Sequence, residues 1–521
     1  MSFVETFSSG VEASRKPECI IASNRGPIEY YVDDGQYRMR LGAGGLVTAL
    51  LNAVQRHHVS WIALTMTSAD RLGVQANQQL SADILPPVFT GMKLRLLSIP
   101  EEAYEKHYYG ISNHVLWFAQ HELLEPMAGT TFTQQTRDDW EHGYYVANEA
   151  IASAIIKELK TWGVETPVII QDYQLYLVAG MVREQCPGAR LGHVIYIPWP
   201  DARYLAMLPD YMVQSIYRSM STNDFIGFQT LNDARNFLNG AARFLSGAQV
   251  HWDNTSTSRP GVLRWQGRSI QICLYPAMLS ADYFQSVMQS REAGHEKEAL
   301  RSQMLKGEIG QLVVRVDRIE PTKNIVRGFQ AYEHMLERHP ELCGRVTFLA
   351  LLVPSRENLE NYRVYEREVR DIITRINARY GRSDWLPIIA IFGNNRARAL
   401  VGLQHYDVLL VNPVIDGMNL VVKEGGLLNQ RSGVIVLSRT VGVHDTLGDY
   451  VLSIAPLDIE ATSDALYRAL TMPSEERIHR AEQIQKLLFA EDATQWFDSQ
   501  IEALSKSSRA GWSRGEAAPG I

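Results

Sequence analysis

Val408-Leu409-Leu410-Val411, followed closely by Asp416-Gly417-Met418-Asn419-Leu420-Val421-Val422-Lys423-Glu424, is the most informative stretch of this chain. An apolar run with no polar alternation reads as a strand covered on both faces, as in a parallel sheet. The Asp-Gly pair then turns the chain into an apolar helix. A helix start carries N–H groups without intrahelical partners and the positive end of the helix dipole, so it suits an anion or a cluster of sugar hydroxyls. Asp416 stands at the mouth of that turn, and Glu424 follows about two helical turns later. Two acceptor-only carboxylates flanking a helix N-terminus suit a polyhydroxylated ligand with a phosphate between them. An ordinary strand–turn–helix with a surface Asp and a salt-bridged Glu has the same pattern, so the distinction rests on the rest of the chain.

The alternation continues outward. Strand-like runs are expected at residues 19–23, 59–65, 114–119, 167–171, 193–197 and 224–228, and again at 270–274, 311–316, 346–353, 387–392, 433–437 and 450–454. Helical patterns lie between them at 46–56, 144–162, 231–245, 324–338, 356–380 and 418–428. Strand–helix alternation of this kind implies doubly wound parallel sheets. The strands are too many for one comfortable open sheet, so two Rossmann-like α/β domains are expected. The polar stretch 254–268 reads as a hairpin or loop near the boundary, and the hinge is placed near Tyr275-Pro276. The expected organisation is a flexible N-terminus at 1–16, domains at 17–275 and 276–485, a final helix at 486–505 and a frayed tail at 506–521.

Bulk composition narrows the function. The 521 residues suffice for two or three domains, and 45% apolar with 21% charged residues is an ordinary globular balance. A formal charge of −7 without a long Lys/Arg run argues against nucleic acid or an anionic membrane as partner. The 4 cysteines, Cys19, Cys186, Cys273 and Cys343, form no C-x-x-C pair. That excludes a cysteine-rich zinc site and suggests reduced thiols in a cytoplasmic protein. No metal-ligand spacing and no nucleophile–histidine–acid triad stands out, and no apolar run is long enough to span a bilayer.

Arginines recur at the carboxyl ends of the expected strands, where open α/β sheets bind ligands. Arg25 closes the first strand in Ser23-Asn24-Arg25, and Arg356 follows another in Val353-Pro354-Ser355-Arg356. Arg318 and Lys323 flank the turn Asp317-Arg318-Ile319-Glu320-Pro321-Thr322-Lys323-Asn324, just before a helix. Cations beside a helix N-terminus oppose its dipole, and make sense if an anion such as a diphosphate fills the gap. Gly42-Ala43-Gly44-Gly45 precedes another helix and lets the backbone approach a ligand closely. Asp172 and Tyr173 follow a strand end, and Tyr108 and Trp117 suit the apolar face of a sugar, although core packing is the commoner fate of such rings. His121 and His193 read as structural or surface histidines.

Together these pieces resemble the trehalose-6-phosphate synthase family of retaining GT-B glycosyltransferases. The similarity runs from about Ile20 to Leu504. Its specific parts are Asp416 to Glu424, Phe225-Ile226-Gly227-Phe228-Gln229-Thr230 with Asn232-Asp233 and Phe237-Leu238, Ile197-Pro198-Trp199-Pro200, and Ser23-Asn24-Arg25. The resemblance implies two Rossmann-like domains facing a cleft, with a C-terminal helix crossing back to the first. It implies that Arg318 and Lys323 hold the donor diphosphate and that Glu424 takes ribose hydroxyls. Asp416 and the N–H groups of Met418, Asn419 and Leu420 would hold the donor sugar and phosphate, with Gly45 against the donor. Arg25, Tyr108 and Arg356 match acceptor-phosphate positions, and Trp117, Asp172 and Tyr173 match acceptor-sugar contacts.

Three places depart from the family pattern. Tyr196 stands where a histidine usually reaches the donor's 6-hydroxyl. Gln171-Asp172-Tyr173-Gln174-Leu175 replaces His-Asp-Tyr-His-Leu, and Leu64 replaces a tryptophan. The resemblance implies catalysis by positioning and by stabilisation of the leaving phosphate through Arg318 and Lys323, with Asp416 beside them, and with no metal or cofactor beyond the nucleotide-diphosphate sugar. The acceptor would be a phosphorylated sugar or cyclitol; association into a homo-oligomer is left open. Two other readings stand beside the synthase: a specialised pseudo-glycosyltransferase or antibiotic-pathway enzyme with a non-glucose donor, and a non-catalytic sugar-phosphate sensor.

Overall fold

Two largely parallel sheets, each started in its middle, organise this computed structural model. It describes residues 16–41, 50, 56–77, 92–124, 130–253, 255–279, 284, 287–304 and 310–506. The chain divides into two compact units, one of Met1–Pro276 with Thr494–Ile521, the other of Ala277–Ala493.

The first unit contains β1 (Cys19–Arg25), β4 (Val59–Leu64), β5 (Met92–Leu97), β6 (Pro167–Gln171), β7 (Arg190–Val194), β8 (Phe225–Phe228), β9 (Gln249–Trp252), β10 (Gly261–Trp265) and β11 (Arg268–Leu274). A separate hairpin pairs β2 (Ile28–Asp33) with β3 (Gln36–Leu41). The sheet order is β5-β4-β1-β6-β7-β8-β11-β10-β9, parallel through β11 and antiparallel beyond it. The stretch expected as a hairpin or loop therefore contributes the β10–β11 hairpin. Its turn, Gln266-Gly267, has φ of 48° and 75°, the left-handed pair that matches strand twist.

The second unit contains β12 (Gln311–Arg318), β13 (Val346–Val353), β14 (Ile388–Phe392), β15 (Val408–Val411), β16 (Val434–Ser438) and β17 (Leu452–Ile454), in the order β14-β13-β12-β15-β16-β17, all parallel. Numbered along the chain, that is the doubly wound order 3-2-1-4-5-6. The direction of winding reverses between β1 and β6 in one unit and between β12 and β15 in the other. Crevices at the carboxyl ends of such strand pairs are where this architecture binds ligands.

The helices cover the sheets as their periodicity requires. Ala147, Ile151, Ile155 and Leu159, four residues apart on the helix Tyr145–Trp162, are buried against β1 and β6 neighbours such as Ile20 and Val168. On the helix Ile325–Arg338, Phe329, Tyr332 and Leu336 are fully buried against Phe348 and Val313, each contributing about 1.5–3 kcal/mol.

Two expectations are corrected. The apolar run 114–119 is not a strand. It lies inside one continuous helical stretch, Glu101–Glu105, the π-helical Lys106–Leu116 and Trp117–Gln120. Short apolar runs do not distinguish a buried helix from a strand, and this one is buried on most sides. The final helix expected over 486–505 is two helices, Ser474–Phe489 and Ala493–Lys506, and residues from Thr494 on belong with the first unit. Buried Trp496, Phe497 and Leu504 supply the apolar face of that last helix. Most of the helix expected at 46–56, and Gly42 to Gly45 before it, lie outside the described residues.

Candidate functional site

In the second unit the site is built on the carboxyl ends of β12, β13 and β15. The turn after β12 and the loop after β15 are sewn together by reciprocal amide contacts. Asn324 Nδ2 donates to the Asn412 carbonyl at 2.9 Å, and Asn412 Nδ2 donates to the Asn324 carbonyl at 3.1 Å. Beneath them lies Arg315, fully buried in the middle of β12. Its guanidinium donates to Asp317 Oδ2 (2.8 Å), Asn412 Oδ1 (2.6 Å) and the carbonyls of Lys323 (3.0 Å) and Ile325 (3.3 Å). Gly328 makes room for it, since a Cβ there would collide with Arg315 Nη1.

That support aims Lys323 at Asp416. The buried Lys323 Nζ donates to Asp416 Oδ2 at 2.5 Å. Asp416 also accepts from its neighbours, the Gly417 N–H at 3.0 Å and Asn419 Nδ2 at 2.9 Å. Asn419, at φ 51°, is the N-cap of the helix Leu420–Leu428. The turn Asp416–Asn419 is therefore folded around the carboxylate, and the N–H groups of Met418, Asn419 and Leu420 stand at the helix entry. Burial lowers the affinity of Lys323 for its proton, but Asp416 and Glu320 outweigh that and the net direction is up, so it stays an ammonium.

Arg318 and Arg356 meet on Glu320, which is 0% exposed. Arg318 Nη2 lies 3.0 Å from Glu320 Oε1, and Arg356 Nη1 lies 3.3 Å from Oε2. Arg356 also donates to the Tyr362 hydroxyl. In this cluster the cations Arg315, Arg318, Lys323 and Arg356 outnumber the carboxylates Asp317, Glu320 and Asp416 by one charge. A residual positive charge beside a helix N-terminus is an anion site.

Glu424, one helical turn further in, is buried and held by a bidentate Arg396, with Nη2 to Oε1 at 2.7 Å and Nη1 to Oε2 at 3.0 Å. Any ribose hydroxyl at Glu424 must share it with that fork. Next to it, Lys423 Nζ donates to the Ala277 carbonyl (2.8 Å) and to Glu491 Oε1 (2.6 Å), which fixes the helix to the two ends of its unit.

In the first unit, Arg25 ends β1 and pairs with Glu29. The adjacent Asn24 Oδ1 accepts from His107 Nε2 at 2.9 Å; burial pushes that imidazole down to about 3, so it is neutral. Tyr108, half-buried, stacks on Tyr104 at 5.5 Å. Its carbonyl accepts from Asn113 Nδ2 (2.9 Å), and Asn113 Oδ1 accepts from the Tyr173 hydroxyl (2.7 Å). The Tyr173 ring lies 5.7 Å from Trp117. Asn113 thus links the Tyr108 backbone to the Tyr173 hydroxyl, and Trp117 packs beside the same tyrosine. Asp172, with φ 68°, stands in the left-handed region that a non-glycine residue occupies only under constraint. Its carbonyl faces His193 Nε2 at 2.9 Å, and Oδ1 accepts from the Tyr196 N–H at 3.3 Å. His121, its ring tilted 34° against that of Trp117 with centroids 4.1 Å apart, and His193 are both buried.

Of the expected residues, Arg318, Lys323, Asp416, Met418, Asn419, Leu420, Glu424 and Arg356 lie in the second unit, and Arg25, Tyr108, Trp117, Asp172, Tyr173 and Tyr196 in the first. Sequence reasoning passed over Arg315, Glu320, Asn412 and Arg396. An arginine in the middle of an otherwise apolar strand was the available signal for Arg315.

The sequence matches the profile of glycosyltransferase family 20 over residues 17–506. The chain belongs to that family. It is therefore a glycosyltransferase of the GT-B fold, of the trehalose-6-phosphate synthase kind, which joins a nucleotide-activated sugar to a phosphorylated sugar. It is 29% identical to the UDP-forming alpha,alpha-trehalose-phosphate synthase of Schizosaccharomyces pombe, across 89% of this chain and 86% of that protein. It is also 29% identical to a bifunctional trehalose-6-phosphate synthase/phosphatase of Thermoproteus tenax, covering 94% of this chain and 64% of that one. The crystal structure of the UDP-forming synthase of Burkholderia xenovorans in complex with glucose-6-phosphate superposes with a TM-score of 0.77 at 25% identity, covering 93% of this chain and 99% of that one. The Escherichia coli protein bound with UDP-2-fluoro glucose shares the fold, with a TM-score of 0.77 at 24% identity. Among the described residues no helix is long and apolar enough to cross a membrane.

Proposed function

We propose that this family 20 glycosyltransferase moves a hexosyl group from UDP-glucose to glucose 6-phosphate, with retention, to give trehalose 6-phosphate. The observation that carries the proposal is the Lys323–Asp416 pair at the entry of the helix Leu420–Leu428, inside a cluster with one surplus positive charge. Lys323 and Arg318 would neutralise the diphosphate as its charge grows, while Asp416 and the helix-entry N–H groups hold the sugar. Glu424, already oriented by Arg396, would accept the ribose hydroxyls. The leaving diphosphate would take the acceptor's proton on the face it departs from, so that catalysis rests on positioning. In the second unit Arg356 would read a phosphate of the acceptor; in the first unit Arg25 and Tyr108 would bind phosphate, and Trp117, Asp172 and Tyr173 a sugar. The test is incubation with UDP-glucose and glucose 6-phosphate, following UDP release and product mass. Absence of both at millimolar substrate would remove this reading.

A second reading is favoured by Tyr196, whose hydroxyl is bonded to Gln171 Oε1 at 2.8 Å. A hydroxyl committed to the protein is a poor partner for the donor's 6-hydroxyl. On that reading the preferred donor differs from glucose near C6, or is a sugar-like cyclitol. Competition between UDP-glucose and UDP-xylose, which lacks C6, separates the two.

A further inference from the structure

We infer that Glu320 is a positioning residue that couples the two phosphate subsites of this enzyme. The inference rests on the reading of Arg318 as a donor-diphosphate contact and Arg356 as an acceptor-phosphate contact. Those arginines follow β12 and β13, neighbouring parallel strands whose last residues pair Arg318 with Val353. The Ile319 N–H continues that pairing to the Val353 carbonyl at 2.8 Å. Glu320 lies between them with no exposed surface and takes one guanidinium on each oxygen. Thr322 Oγ1 donates to Oε1 at 3.2 Å, which fixes the carboxylate plane. Arg356 is held at φ 49°, a left-handed conformation that a side chain of its size adopts only when its surroundings over-determine it. The Leu359 N–H bonds its carbonyl at 2.8 Å, and Tyr362 and Glu320 hold its guanidinium.

A guanidinium presents its donors in a rigid fork, so a carboxylate that fixes its plane fixes where the other donors point. A phosphate that orders one arginine orders Glu320, and through it the second arginine. The second ligand then meets a site already ordered, which is positive coupling without a change of fold. A buried carboxylate also repels both phosphates, so its value to the enzyme lies in orientation and not in charge.

The experiment measures UDP binding by calorimetry with and without saturating glucose 6-phosphate, and the reverse, in the full-length protein. In the unsubstituted enzyme each ligand is expected to tighten the other about 5-fold or more, with the same factor in both directions. In Glu320→Gln that factor should fall to about one, while UDP alone binds as well as before or better, the KM of each substrate at saturating partner rises by about the lost factor, and kcat falls about 10-fold or more. An unchanged coupling factor in Glu320→Gln, or no coupling in the unsubstituted enzyme, overturns the inference. Should Glu320→Gln not fold, Arg356→Lys keeps the charge, removes the fork and is expected to lose the same coupling; retained coupling there is equally fatal. Arg318→Ala and Arg356→Ala test the underlying reading separately. If neither weakens its own ligand, the assignment of the subsites fails, whatever Glu320 does.

Discussion

The Tyr196 hydroxyl donates to Gln171 Oε1 at 2.8 Å, so two of the positions that the sequence reading takes as departures from the family pattern are partners of each other. Gln171 ends β6, and Tyr196 follows the end of the neighbouring β7, where Gln171 pairs with Val194. Tyr196 also donates its N–H to Asp172, and its ring lies 6.5 Å from Trp496 on the last helix. Burial, and then the nearby Asp172, push its phenol well above the usual range, so it is a neutral donor at any physiological pH. Gln171 is fully buried, and its Nε2 has no acceptor among the described residues. An unsatisfied buried amide costs about 1–3 kcal/mol, so stability alone does not favour this pair.

The expected consequence is weak discrimination at C6 of the donor. Tyr196→His with Gln171→His would replace a closed pair by two imidazoles able to meet a sugar hydroxyl. Selectivity for UDP-glucose over UDP-xylose, taken as the ratio of kcat/KM, should rise roughly 10- to 100-fold in the double variant. A ratio that does not move, or an unsubstituted enzyme that already prefers UDP-glucose by about a thousandfold, sinks the donor-pocket argument.

What the sequence showed was what local pattern encodes. The run Val408–Val411 became a strand with no exposed side chain because an apolar quartet has no solvent face to offer. The helix Ile325–Arg338 buried the expected stripe of Phe329, Tyr332 and Leu336. Arg318, Lys323 and Arg356 stood out in the sequence because cations at strand ends break that pattern. Glu320, the partner that Arg318 and Arg356 share, did not, because it and Arg356 stand 36 residues apart and are joined only by strand adjacency. Arg396 and Glu424 are 28 apart, and Lys423 and Ala277 are 146 apart, pairings that no periodicity announces. The π-helical segment was misread for a related reason. A helix buried on most sides loses the polar face that reveals its period.

The Lys323–Asp416 pair should appear in the pH profile. Lys323→Ala, like Arg318→Ala, is expected to lower kcat on the order of 10²–10³-fold, because each would act on charge that develops as the diphosphate leaves. Asp416→Asn removes the carboxylate that chiefly opposes the effect of burial on Lys323. The lysine should then lose its proton at lower pH, so the alkaline limb of kcat/KM moves to lower pH in this variant. An alkaline limb unmoved by Asp416→Asn would detach Lys323 from the rate.

Arg356 is expected to read the acceptor's phosphate. A charge-assisted hydrogen bond contributes about 1.5–3 kcal/mol, so Arg356→Ala should lower kcat/KM for glucose 6-phosphate roughly 10- to 150-fold. The same variant should lose far less with glucose as acceptor, which has no phosphate to lose. Equal losses on both acceptors would assign Arg356 to the fold of its loop, where its left-handed backbone and its Tyr362 contact already place it.

His57 offers a test of how the last helix is held. Its Nδ1 lies 2.6 Å from Glu18 Oε2, and its Nε2 lies 2.7 Å from Asp498 Oδ1 on the helix Ala493–Lys506. Both ring nitrogens face carboxylates, and only the imidazolium can donate from both. Burial alone would lower its pKa, but the hydrogen bonds to Glu18 and Asp498 outweigh it, and the folded value is raised above 6.5. A histidine raised on folding contributes its full stabilisation below the unfolded value, about 6.5, and loses it as pH climbs through the folded one. Both carboxylates are about half exposed, so the contribution is screened and amounts to about 1 kcal/mol at most. His57→Gln should therefore lower the thermal midpoint at about pH 6 by a few degrees or less, and the gap should close at about pH 9. A gap of equal size at both pH values would mean that His57 holds the helix by packing against Phe497, 5.8 Å away, and not by its charge.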